Sequence, residues 1–398
     1  MHTSRRLAAL GSGVFARSDA RKQAYRDRSP TTGSLGLIDL SLGSSDLQPP
    51  SGVLCAMRDA IPAPSSSAYC LQAATAPFRE AVADWCQRRF GVTVDPEHEV
   101  QLLVGSQEGT AHLPLAVLNP GDPALLLDPC YPSHRGGLLL ADADVIPLRL
   151  QAAHGWRPPL KELSASVWDR LKLFVFGYPH NPTACVGDQE LLDQIMHLGE
   201  RHKVVIAHDN PYVDLALEGQ APSLLHSPGW REWGVEFFSL SKGWCLGGFR
   251  LAFAVGASPL IAALRQVKAV VDFNQSLALQ QAAITALRDF ADWPATLRET
   301  YRQRRDRVLA GFAMRSWSVP KPDMALYLWV PCPEAAAAHG WKDERCAAEL
   351  LQRSGVALTP GSGFGQGGEG WLRMALVRPS SELEAAVSRL ADAVDALA

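Results

Sequence analysis

The chain has 398 residues, 47 % hydrophobic and 20 % charged, a globular balance that excludes a disordered or collagen-like polymer. Thirty-eight basic against 41 acidic residues leave a net charge of −3, which excludes a broad electrostatic footprint for nucleic acid. No apolar run reaches membrane-spanning length, the N-terminal apolar stretch is too short for a signal peptide, and the eight cysteines follow no pairing pattern. The expectation is a soluble cytoplasmic protein with reduced thiols.

Residues 1–36 are polar, arginine-rich and broken by glycines, which predicts an arm or a short helix with loops. From residue 100, short apolar runs alternate with helical stretches. Leu102–Val104 precedes a Gly-Ser turn and a helix, and Ala124–Leu127 leads into Asp128-Pro-Cys-Tyr-Pro132 and another. Leu173–Phe176 runs into Gly177-Tyr-Pro-His-Asn-Pro182 and a helical pattern over Leu191–Leu198. Val204–Ala207 ends at His208-Asp209, and Val235–Phe238 ends at Ser239-Leu-Ser-Lys242. Such alternation predicts a mostly parallel sheet with helices on both faces. Residues 259–315 read as helices, the last from about Pro294 to Phe312 serving as a connector. Strand-like runs at Leu326–Val330, Val356–Leu358 and Trp371–Val377, with helices over Asp343–Ser354 and Glu382–Leu397, predict a smaller α+β domain.

Gly363-x-Gly365-x-x-Gly368 matches a dinucleotide fingerprint in form, but a strand pattern follows where phosphates need a helix, so it reads as a flexible loop. His112, His180 and His208 lack metal-ligand spacing and read as structural. Asn181, Asp209 and Lys242 carry more information. Each comes just past the end of an apolar strand, where parallel sheets open their ligand crevice. Alone, each fits a cap, a turn or the surface. Together they bring an amide, a carboxylate and one of only eight lysines to one crevice. Tyr212 follows Asp209 by three residues, and Arg250 with a helix opening at Gly105-Ser106 can hold an anion.

Asn181-Pro182, Asp209-x-x-Tyr212, Ser239-Leu-Ser-Lys242 and Arg250, separated by 28 residues from Asn181 to Asp209 and 33 from Asp209 to Lys242, resemble the pyridoxal-phosphate aminotransferases of fold type I, class I/II. The resemblance runs from Ser41 to Arg373. It implies an α/β fold with a large cofactor-binding domain over 46–290 and a mostly parallel sheet sandwiched by helices. Residues 1–45 and 291–398 would form an N-terminal arm plus a small α+β domain. It implies an enzyme that moves an amino group from an α-amino acid to a 2-oxo acid, with pyridoxal 5′-phosphate as cofactor. A homodimer with shared sites is implied, with no metal, nucleic-acid or membrane partner.

The resemblance also implies roles. Lys242 bonds the cofactor aldehyde and moves the proton at the substrate α-carbon, Asp209 faces the ring nitrogen, and Asn181 and Tyr212 face the phenolic oxygen. Tyr131 stacks on the ring. Ser106, Ser239 and Arg250 gather at the phosphate, and Gln107 is a further cofactor-binding residue near the distal end of the substrate. Tyr69 would reach the phosphate of the neighbouring subunit, and Asn274 would reach across as well. Arg373 clamps the substrate α-carboxylate, with Gly43 and Asn181 beside it. Gly105-Ser-Gln-Glu-Gly-Thr-Ala-His-Leu-Pro114 and Asn119-Pro-Gly-Asp-Pro123 look most like the LL-diaminopimelate aminotransferase branch. Gln107 and Gln72 depart from it, standing where that branch carries a lysine and its plant-type members an acid. LL-diaminopimelate or a related amino acid is the donor this implies. A lyase or decarboxylase on the same scaffold is the enzymatic alternative. An aminotransferase-like regulator is disfavoured, because the 42 residues ahead of Gly43 are too few for a DNA-binding domain.

Overall fold

A strand buried on both faces needs apolar residues at consecutive positions, and this chain supplies several such runs. In chain order the strands are β1 (Ile38–Asp39), β2 (Val100–Val104), β3 (Pro123–Asp128), β4 (Asp144–Arg149), β5 (Leu173–Phe176) and β6 (Val205–Asp209). There follow β7 (Gly234–Ser239), β8 (Leu251–Gly256), β9 (Tyr327–Pro331), β10 (Val356–Ala357), β11 (Thr359–Pro360) and β12 (Trp371–Ala375). The computed structural model describes residues 2–28, 35–324 and 326–397.

Seven strands form the main sheet in the order β2-β8-β7-β6-β5-β3-β4. Neighbours from β7 to β4 pair in parallel, whereas β8 runs antiparallel to both β7 and β2. The mostly parallel sheet expected from the sequence is therefore present. Two of its strands escaped the sequence reading. The edge strand β4 is exposed at both ends, so its apolar run is broken, and β8 follows β7 without the intervening long helix that marks a parallel crossover.

The helices that cover the sheet have ordinary causes. The helix Gln189–His202 starts where the Asp188 carboxylate accepts the Leu191 N–H and buries Leu191, Leu192, Ile195 and Met196 along one stripe. The long helix Trp293–Met314 buries Leu297, Tyr301, Arg304, Val308 and Phe312 on one face. It links the main sheet to a second core containing Leu328, Val330, Leu350, Met374 and Leu390.

That second core carries an antiparallel sheet, β11-β12-β9, and the parallel pair β1-β10. The single strand expected at Val356–Leu358 is two short ones, β10 and β11, which serve different sheets. The helices Asp343–Ser354 and Ser380–Asp395 fall where the apolar periodicity put them. The arm is two helices, Arg5–Leu10 and Val14–Arg28, the second held by Lys22, which sits 2.8 Å from Asp39. Residues 29–34 of the expected arm lie outside the described residues.

The glycine-rich run is not the free loop expected. Its two short 3₁₀ turns, Gly361–Phe364 and Gln366–Gly368, pack on the end of β3, where Gly367 N–H donates to Asp128 Oδ1 at 2.9 Å. Small residues are needed because side chains at 365 and 367 would meet Asp128 and Pro129. The strand β12 follows, as read. Among the described residues no helix is long and apolar enough to cross a membrane.

Candidate active site

The C-terminal ends of β5, β6 and β7 deliver their polar residues to one cleft of about 500 Å³. Gly43, Ser106, Gln107, Tyr131, Asn181, Asp209, Tyr212, Ser239, Lys242, Arg250 and Arg373 all line it. Of the sequence-derived site residues, Tyr69 and Asn274 do not. Tyr69 is 86 % exposed, its ring 5.6 Å from that of Phe273, and Asn274 Nδ2 donates to Cys70 O at 3.1 Å.

Asp209 ends β6 with its carboxylate buried. One oxygen, Oδ2, lies 2.9 Å from His134 Nε2, while Oδ1 has no hydrogen-bond partner among the described residues. A buried carboxylate oxygen without a donor is costly, so the geometry calls for one. Sequence reading missed His134. It sits on the helix Pro132–Leu140 three residues after Tyr131, and that short spacing was the available signal. His180, read as structural, lines the cleft with Nδ1 2.7 Å from Thr183 Oγ1 and Nε2 without a partner among the described residues. Burial, with the charge of His134 next, pushes its pKa down to about 3, so its ring stays neutral. His208 and His112 are structural, bonded to Glu236 at 2.9 Å and facing Glu108 at 3.4 Å.

Lys242 belongs to the one-turn helix Leu240–Gly243, whose start is capped by Ser239 Oγ accepting the Ser241 N–H. Its Nζ donates to the Gly43 carbonyl at 2.5 Å. Gly43 is needed for close approach rather than for backbone freedom, because a side chain there would overlap the Tyr327 phenol.

On the opposite wall, Gly105 has φ 76° and lies against the Arg250 guanidinium, with which any Cβ at 105 would collide. The guanidinium therefore crosses the N-terminus of the helix Ser106–Val117, whose first N–H groups have no acceptor inside the helix. Cation, helix dipole and open N–H groups together make a cradle for an anion.

Arg373, only 1 % exposed, closes the third side. Its NH1 donates to Asn181 Oδ1 at 2.9 Å and its NH2 to Ser41 O at 2.8 Å, while Nε is left without a partner among the described residues. Three rings surround the guanidinium: Tyr327 at 4.4 Å, Phe364 at 4.7 Å and Phe15 at 5.4 Å. Asn181 Nδ2 in turn donates to Tyr212 Oη at 3.3 Å, and Tyr212 Oη lies 3.2 Å from Tyr327 Oη. Burial pushes the Tyr212 phenol well above its ordinary range, helped by the neighbouring Tyr327. Tyr327 goes the other way. Burial alone would raise it, but the neighbouring Lys242 and Arg373 cations bring it below the usual value. Phe15 and Tyr327 come from the arm and from β9, far along the chain, and no local spacing marks them.

The aminotransferase class I and II family matches residues 36–390 of the chain. The LL-diaminopimelate aminotransferase of Moorella thermoacetica is 35 % identical over 391 residues, 98 % of each chain. That of Nitratidesulfovibrio vulgaris is 37 % identical, covering 97 % of this chain and 98 % of its own. Among solved structures, a probable N-succinyldiaminopimelate aminotransferase from Thermus thermophilus superposes with a TM-score of 0.87 at 40 % identity, covering 96 % of this chain and 100 % of that one.

Proposed function

This chain belongs to the aminotransferase class I and II family, and from that premise we propose how its cleft performs the family's reaction. The protein is a pyridoxal-phosphate-dependent aminotransferase of amino-acid biosynthesis. The residues fit the cofactor. The cradle of Arg250, Ser106, Gln107 and Ser239 suits a phosphate dianion, and Tyr131 offers a ring face. The unpartnered Asp209 Oδ1 is matched by the N–H of a protonated pyridine. That orphaned oxygen is the single observation that carries the assignment of roles.

Bound there, pyridoxal 5′-phosphate supplies the electron sink that makes a donor's α-proton removable. The chain supplies the rest. Lys242 would hold the cofactor covalently, and its Nζ, when free, would carry the donor's α-proton across to the cofactor's aldehyde carbon, with the Gly43 carbonyl orienting that amine. Asp209, steadied by His134, keeps the pyridine nitrogen protonated. Arg373 binds the donor α-carboxylate in fork geometry, which fixes the bond to be broken. Asn181 and Tyr212 face the phenolic oxygen. Buried aromatic walls around Arg373 exclude water from the clamp.

The relatives' names point to LL-diaminopimelate or a related amino acid as donor, and we take that as the first substrate to test. We divide the chain into a large domain over 46–290 and a small one built from 1–45 and 291–398. We also propose a homodimer. Tyr69, Leu71, Val270, Val271 and Phe273 expose apolar side chains on two segments that are tied together by Ser276 Oγ donating to Ser66 O at 2.6 Å. A second copy would cover this patch, and Tyr69 would reach the other subunit's phosphate cradle. Eight free thiols fit a cytoplasmic location.

A half-reaction screen tests the reaction. Each amino acid is mixed with cofactor-loaded protein, and loss of the visible band is followed together with keto-acid release. LL-diaminopimelate or a near relative should discharge the band with stoichiometric keto acid. Band loss without keto acid for every donor tried would contradict transamination.

A further inference from the structure

We propose that Tyr327 is a positioning residue for the cofactor's phenolic oxygen, acting through Tyr212 from the small domain. This role rests on the reading that Tyr212 faces that oxygen. A phenol has one proton to give and room for two hydrogen bonds at its oxygen.

At Tyr212 Oη the incoming bonds can be assigned. Asn181 Nδ2 donates at 3.3 Å, and it is held in that orientation because Asn181 Oδ1 already accepts from Arg373 NH1 at 2.9 Å. Tyr327 Oη, at 3.2 Å, is the second neighbour. If Tyr327 donates, both acceptor positions of Tyr212 are filled and its own proton has one direction left, into the cleft. Donors in series polarise one another, so Tyr212 also becomes a stronger donor.

The surroundings set this direction. Tyr212 Oη is the one hydrogen-bond partner of the Tyr327 hydroxyl among the described residues, whereas the Tyr212 proton can turn into the cleft, so both protons find an acceptor only when Tyr327 donates. The ring of Tyr327 has the Arg373 guanidinium 4.4 Å from its centroid, and its hydroxyl end sits against Gly43, which has no side chain to displace it. Tyr327 lies on β9 and Tyr212 follows β6, so the bond also joins the small sheet to the main one. The hydroxyl of Tyr327 thus couples the carboxylate clamp to the cofactor's ring oxygen.

The test uses the holoenzyme and reads the cofactor as well as turnover. Tyr327→Phe keeps the ring and removes the hydroxyl. It should raise the pH midpoint of the bound cofactor's visible band by about half a unit and lower kcat about fivefold. Tyr212→Phe should raise the midpoint further, and adding Tyr327→Phe to it should change nothing more, because the path between them is already cut. Installing 3-fluorotyrosine at 327 alone makes a stronger donor and should move the midpoint down, a change that lost packing cannot mimic. An unmoved midpoint in Tyr327→Phe, or fully additive shifts in the double variant, overturns the proposal. If Tyr212→Phe itself leaves the band unchanged, the placement of Tyr212 fails instead. Were Tyr327→Phe to fold poorly, the fluorotyrosine protein decides alone, and an unmoved band there also overturns the proposal.

Discussion

Replacing Arg373 with lysine keeps one positive charge and removes the fork. In the structure the guanidinium spends NH1 on Asn181 and NH2 on Ser41, with three rings packed around it. A lysine ammonium can reach the donor carboxylate as a point charge, but it cannot make two parallel bonds or stack as a plane. One lost hydrogen bond to a charged partner costs about 1.5–3 kcal/mol, and weakened stacking on buried rings adds about 0.5–2 kcal/mol. The sum of about 2–5 kcal/mol corresponds to a loss of roughly 30-fold to several thousand-fold in kcat/KM. The assay is the single-turnover half-reaction, read at the visible band for several α-amino acid donors. All should suffer, because the α-carboxylate is common to them, while the cofactor dissociation constant should stay within about twofold of the parent, since the phosphate cradle is untouched. Donor kinetics within about threefold of the parent for every donor would refute Arg373 as the clamp.

Asp209→Asn should fold and bind cofactor yet lose about 10²–10³-fold in kcat, because an amide does not hold the pyridine proton; parental turnover would remove the electron-sink role from Asp209. The arm should be pH-sensitive only in acid and strong base. Burial alone would raise the Asp39 carboxyl, but Lys22 and Ser41 hold it below the usual range, so its contribution is full above about pH 4 and is lost as pH falls through the folded value. Burial opposes but Asp19 and Asp39 raise the Lys22 pKa, so that side is lost only as pH rises beyond about 10. Proteolysis within Val14–Arg28 should therefore be flat from about pH 5 to 9 and rise below about pH 4, and a flat profile down to about pH 3 would contradict the pairing. For the dimer, Tyr69→Ala and Lys242→Ala homodimers should both be weak, and subunit exchange between them should restore up to one site per hybrid; a monomer by light scattering, or no recovery, would end the shared-site reading.

The sequence carried much of this because the chemistry sits at strand ends. Asn181, Asp209 and Lys242 each follow a run of consecutive buried residues, so the crevice could be located from hydrophobicity alone. The arm–clamp contact of Phe15, the phenol pair of Tyr212 and Tyr327, and the backbone approach of Gly43 were not legible. They join residues whose separations reflect the packing of the small sheet against the main one, and no periodicity records that. His134 lay between the two cases, one helical turn from Tyr131, and its ring could have been aimed at Asp209 had the strand order β6-β5-β3 been known. The glycine run at 363–368 misled for a physical reason: its glycines serve close packing against Asp128 and Pro129, and packing of that kind is indistinguishable from looseness in a sequence.

The covalent hold of Lys242 on the cofactor bears most directly on the whole assignment. Borohydride reduction of the loaded enzyme, followed by peptide mass mapping, should find the pyridoxyl adduct on the peptide containing Lys242 and on no other of the eight lysines. An adduct on a different lysine, or a protein that binds pyridoxal phosphate with no reducible bond, would contradict the account.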